Sequence, residues 1–118
     1  MNQRQFQRVH FFQRVQVNDG VQTLDTHCLD ISLRGILLVL PEAVSWSLEQ
    51  RVEVVLQLSP QENIVMECSV VHLDDDVVGC ACDSFDLDSL TALRRLLEYN
   101  LQNPDQVNRE LGELIRAH

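Results

Sequence analysis

Arg51-Val52-Glu53-Val54-Val55-Leu56-Gln57-Leu58 places Val52, Val54, Leu56 and Leu58 at every second position, with Glu53 and Gln57 between them. A period of two is that of a strand with one face against a core and the other in water. The same reading extends outward in both directions. Downstream, Ser59-Pro60-Gln61-Glu62-Asn63 is a turn, and Ile64–Leu73 alternates again, with Ile64, Met66, Cys68 and Val70 opposite Val65, Glu67, Ser69 and Val71. Asp74-Asp75-Asp76 makes a tight acidic turn before a last strand, Val77–Ser84. The three aspartates lack the ligand spacing and distal Glu of a calcium loop, so they read as a solvated hairpin tip.

Upstream, Ile36-Leu37-Leu38-Val39-Leu40 is a short apolar run, as in a strand buried on both faces, and Pro41 stops it. Residues 41–49 form a loop that carries Trp46. A mixed strand fits Val21–Leu29, with Leu24 and Cys28 inward. Residues 10–18 put Val15 and Val17 on one face and Arg14 and Gln16 on the other, ending at the hairpin signal Asn18-Asp19-Gly20. Six short strands joined by hairpin-length turns describe an antiparallel barrel or sandwich.

The period then changes. From Asp86 the apolar positions are Leu87, Leu90, Leu93, Leu97 and Leu101, an amphipathic helix with Asp86 or Asp88 as its cap. Asn103-Pro104-Asp105-Gln106 starts a second helix, with Val107, Leu111, Leu114 and Ile115 on one face. The expected class is α+β, mainly β, in one domain over residues 1–118: an arm at 1–9, strands over 10–84 and helices over 86–117.

The charge is uneven. Eighteen acids face nine cations, all of them Arg, for a net charge of -9. Residues 1–18 contain Arg4, Arg8 and Arg14 and no acid, which leaves -12 for residues 19–118. An anion is drawn to the N-terminus and repelled from most other surfaces, which argues against generic nucleic-acid or anionic-membrane binding. A single-strand nucleic-acid barrel also needs aromatic platforms in a basic groove, and only six aromatics are present. No apolar run approaches the roughly 20 residues of a membrane span, and no secretory leader is visible, so a cytoplasmic protein with reduced thiols is expected. Cys28, Cys68, Cys80 and Cys82 lack C-x-x-C spacing and read as buried small hydrophobes. No nucleophile elbow, phosphate loop or metal spacing supports an enzyme.

Two pieces remain. Arg4-Gln5-Phe6-Gln7-Arg8 carries two guanidiniums, each able to fork onto a phosphate or onto the O6/N7 edge of guanine. Twenty-two residues after Arg8 comes Asp30-Ile31-Ser32-Leu33-Arg34-Gly35. Asp30 accepts from the donors of guanine's Watson–Crick edge, Ser32 exchanges hydrogen bonds with a nearby polar group, and Gly35 permits a positive φ and close backbone approach. Taken singly, each piece has an ordinary explanation as solvated surface or local turn. Together they suit a guanine nucleotide with more than one phosphate.

Arg4-x-x-x-Arg8 followed by Asp30-x-Ser32-x-x-Gly35 resembles the two-part signature of PilZ domains, which bind the bacterial second messenger cyclic di-GMP. The tail from Phe85 to Leu101 is similar to that of a stand-alone, single-domain PilZ subgroup of Gammaproteobacteria. The resemblance implies a six-stranded antiparallel β-barrel with C-terminal helices, with no catalytic role and no cofactor. It assigns ligand contacts to Arg4, Arg8, Asp30, Ser32 and Gly35. Gln3, Arg34 and His72 are candidates for further contacts: Gln3 stands where the family links the residue to ligand number, Arg34 adds charge, and His72 offers a ring. Binding would order the arm and signal to a protein partner. The alternative is a PilZ-like interaction adaptor with weak or lost ligand binding, favoured by the neutral neighbours Gln3 and Gln5.

Overall fold

The computed structural model describes residues 9–42 and 44–100. Six strands come first: β1 (Val9–Asn18), β2 (Thr23–Ser32), β3 (Gly35–Val39), β4 (Arg51–Ser59), β5 (Glu62–Leu73) and β6 (Val77–Phe85). One helix follows, α1 (Leu87–Asn100). All strand pairs are antiparallel, and they close into a barrel in the order β1-β2-β3-β6-β5-β4. The choice between barrel and sandwich is thus settled by the β1–β4 pairing, where Val15 faces Leu56 and Val17 faces Val54. Closure removes the open edges that a sheet of this size otherwise presents.

The alternation read in β4 holds. Val52, Val54 and Leu56 are buried in the barrel, as are Ile64, Met66, Cys68 and Val70 of β5. Each fully buried aliphatic side chain of this size contributes about 1.5–3 kcal/mol of transfer free energy. All four cysteines are buried free thiols in that interior. Burial, with Cys68 nearby, pushes the Cys80 thiol up to about 12, and the Cys82 contact and burial push Cys68 up further. These thiols therefore act as packing groups at neutral pH. β3 is less enclosed than its apolar run implies: Ile36 and Leu38 point inward, while Leu37 and Val39 lie half-buried on the outer face.

One end of the barrel is tied by the β1–β2 turn. Gly20 there has φ 91°, and the Asp19 carboxylate accepts from the Val21 and Gln22 amides at 2.9 Å each. Its other oxygen accepts from the Trp46 indole N–H at 2.9 Å, so the long β3–β4 loop is pinned to the turn. These bonds, Trp46 first, hold the Asp19 carboxyl below the usual carboxylate range.

At the other end, the Asp86 carboxylate caps α1 by accepting from the Ser89 amide at 2.6 Å. The Ser89 hydroxyl accepts from the Val65 amide at 2.9 Å and bolts the helix to β5. Ala92, Leu93 and Leu97 are buried beneath it, whereas Leu87 is 76% exposed and leaves the expected apolar face. Leu87 opens the helix, before the turn that first meets the barrel. The second expected helix, from Asn103 onward, and Leu101 lie outside the described residues.

Candidate functional site

The Asp30–Gly35 stretch is mostly strand, which corrects its reading as a turn. β2 runs on through Asp30, Ile31 and Ser32, only Leu33 and Arg34 form the turn, and Gly35 opens β3. The cause is pairing and packing: Ile31 and Ser32 ladder with Ile36 and Gly35 of β3, and Ile31, Ser32 and Leu33 are all buried. A bulge at Leu29, between the Cys28–Leu38 and Asp30–Leu37 pairs, shifts the phase so that Asp30 faces outward.

Ser32 is only 4% exposed. Its hydroxyl accepts from the Arg34 amide at 3.3 Å and donates to the Gly35 carbonyl at 3.4 Å. Both bonds are long, so Ser32 is a loosely held clasp within the turn. Gly35 is buried, with Ser32 and Ala81 as its cross-strand partners. The positive φ expected at Gly35 occurs instead at Gly20 and at Glu49, where φ is 74°. Gly35 thus answers to close packing rather than to a left-handed backbone. Arg34 is exposed at the hairpin tip, and its carbonyl accepts from the Cys82 amide at 2.8 Å.

The ladder brings the N-terminal segment to this hairpin. Val9 is the Cα partner of Ile31, and His10 that of Asp30. Gln3, Arg4 and Arg8 lie outside the described residues, but Arg8 is joined by one peptide bond to Val9. Val9 and Ile31, far apart in sequence, thus meet at one end of the β1–β2 pair.

From Asp30 a single row crosses the outer wall. Asp30 pairs with Leu37 of β3, Leu37 with Gly79 of β6, and Gly79 with His72 of β5. Three strand spacings put Asp30 roughly 14 Å from His72. Gly79 contributes no side chain, and its neighbours close over it: a Cβ there would meet the His72 Cβ at 3.2 Å and the Leu37 Cδ1 at 4.0 Å. His72 at the end of the row is exposed, and its Nε2 is 3.6 Å from the Asp74 carboxylate. A glycine inside a strand is the sequence signal of such close approach.

Other clusters offer less. Among the described residues, no group of three or more His, Cys, Asp or Glu side chains is placed to hold a metal ion. No described helix is long and apolar enough to cross a membrane. Glu53 and Glu67 face each other across β4 and β5. Burial and the Glu53 carboxylate raise the Glu67 carboxyl above its ordinary value.

The fold is thus a closed six-stranded barrel with Asp30 facing outward after a bulge and Ser32 buried in the adjoining turn. The chain belongs to the PilZ domain family, whose model matches residues 2–99. That family is one of cyclic di-GMP-binding receptors, not of enzymes. Two solved structures share the fold. The Bacillus subtilis inhibitor of motility (MotI/DgrA) is 20% identical with a TM-score of 0.70 over 95% of this chain. This chain spans 53% of the length of that protein. The PilZ domain of CeSA from a cellulose-synthesizing bacterium is 16% identical with a TM-score of 0.62, over 76% of this chain and 93% of that one.

Proposed function

We propose that this chain is a cytoplasmic cyclic di-GMP receptor that reports ligand binding to a protein partner. Arg4 and Arg8 take the phosphates and the Hoogsteen edge of guanine. Asp30 takes the Watson–Crick donors of a guanine, Ser32 keeps the turn in shape and contacts the ligand from it, and Gly35 lets the ligand approach the hairpin. The observation that supports this reading is the pairing of Val9 with Ile31 and His10 with Asp30, since Arg8 immediately precedes Val9 in the chain. Charge supports it, because residues 1–18 hold three Arg and no acid in a chain of net charge -9. Leu37, Gly79 and His72 supply the wall against which a flat base lies.

Ligand binding draws the arm that precedes Val9 across the barrel, and the surface it then offers is what a partner reads. Addition of cyclic di-GMP to the 15N-labelled chain tests this. The amide signals of residues 4–10, 30–37 and 79 move together on the receptor reading. Unmoved signals at saturating ligand favour the adaptor reading, for which the neutral Gln3 and Gln5 beside Arg4 are the supporting feature.

A further inference from the structure

Phe12 is the exposed aromatic that lies on the barrel wall next to Asp30. It is 70% exposed. Its ring lies parallel to that of His27, with centroids 4.7 Å apart and planes 5° from one another. The β1–β2 ladder explains why it faces out. Between the His10–Asp30 and Gln13–Cys28 pairs, Phe11 and Phe12 of β1 stand against Leu29 alone. A bulge of two residues against one re-aims a side chain, and such bulges recur beside binding sites. His27 lies one pairing step further along β2, directly across from Arg14.

A single exposed apolar side chain is ordinary on a folded surface, but Phe12 is ordered against His27 on one ring face and is still 70% exposed. The stack leaves an open π-face within one pairing step of Asp30. It lies on the β1 side of that carboxylate, whereas the Leu37–Gly79–His72 row lies on the β3 side. The remaining exposed large apolar side chains among the described residues differ in place: Val21 and Leu48 lie in loops, Leu87 and Tyr99 at the two ends of α1, and Val71 at a β5 bulge.

We propose that Phe12 and His27 form a purine-stacking platform that takes one guanine of the bound nucleotide. This inference rests on the receptor reading above. A cyclic dinucleotide carries two purines, and the Phe12–His27 stack offers a flat surface for one of them. Offset parallel stacking is the geometry an aromatic side chain offers a base, and it tolerates any purine because it reads the π-face.

Titration calorimetry of the full chain with cyclic di-GMP tests the platform. Phe12→Ala and Phe12→Leu bind about tenfold or more weakly, and Phe12→Trp binds at least as well as wild type, since loss of one base–aromatic stack has about this effect. His27→Ala shows a smaller loss. Thermal melting checks that each variant is folded, which the exposure of Phe12 favours. Wild-type binding with unchanged affinity in Phe12→Leu overturns the platform and leaves the receptor reading standing. No binding by wild type overturns both. A Phe12→Leu chain that keeps full affinity but loses a protein partner assigns the patch to that partner instead, and this too overturns the inference.

Discussion

Gly79 and His72 are cross-strand partners, and a Cβ placed on Gly79 would stand 3.2 Å from the His72 Cβ. That is closer than ordinary packing allows, so the close approach of His72 depends on residue 79 having no side chain. Gly79→Ala regains backbone entropy worth up to about 1 kcal/mol, which offsets the tight contact. Its melting temperature stays close to that of wild type. Gly79→Val pushes against His72 and Leu37 and lowers the melting temperature, while circular dichroism still reports the barrel. An unchanged melting temperature in Gly79→Val contradicts the tight packing over residue 79.

Trp46 reaches from the β3–β4 loop to the Asp19 carboxylate, and both belong to the end of the barrel away from the β2–β3 turn. Trp46→Ala destabilises the fold by about 3–5 kcal/mol in urea titrations, the cost of emptying a large buried aromatic site. Trp46→Phe keeps most of the bulk but deletes the N–H donor. Asp19 has its carboxyl lowered in the folded state, so its contribution is present above the unfolded carboxyl value and is lost as pH falls through the folded one. An NMR titration therefore shows the Asp19 carboxyl titrating at higher pH in Trp46→Phe than in wild type.

Glu53 and Glu67 place like charges directly across β4 and β5. Burial, then Glu53, raises the Glu67 carboxyl, and Arg51 opposes the shift. A raised acid adds stability that is complete below the unfolded carboxyl value and is lost as pH rises through the folded one. Glu53→Gln is then more stable than wild type at pH 7 by roughly 0.5 kcal/mol, the scale of a like-charge cross-strand pair. The gain shrinks toward pH 4 as Glu67 protonates. Chemical denaturation at the two pH values measures the difference.

Glu49 holds φ at 74° just before β4, while its amide donates to the Val70 carbonyl at 2.7 Å. A side chain in this region costs roughly 1–2 kcal/mol that glycine does not incur. Part of this is returned through the greater freedom of glycine in the unfolded chain. Glu49→Gly raises the melting temperature by a few degrees, whereas Glu49→Val lowers it.

Much of this fold is legible in local sequence. The period of two in Arg51–Leu58 and Ile64–Leu73 sets which residues enter the core, and Asn18-Asp19-Gly20 marks its hairpin. The change of period at Asp86 marks the helix cap. Errors arise where a longer-range packing demand overrides the local signal. Asp30-x-Ser32-x-x-Gly35 has turn composition, yet the burial of Ile31 and Leu33 extends β2 through it. Leu87 fits the helical stripe but precedes the turn that contacts the barrel. The site is harder to read than the core, because it is made by register. Nothing near Gly79 in the chain signals that it will stand between Leu37 and His72, and the Phe12–His27 stack depends on a bulge that pairing alone reveals.

The central claim is that the arginine arm and the outward carboxylate of β2 grip one cyclic dinucleotide. Titration calorimetry of the full chain with cyclic di-GMP, beside Arg8→Ala and Asp30→Ala, tests it most directly. Each substitution removes charge-assisted hydrogen bonds worth about 1.5–3 kcal/mol apiece, so each variant is expected to bind at least tenfold more weakly than wild type. Equal binding by wild type and both variants, or no heat of binding in any of the three, contradicts the account.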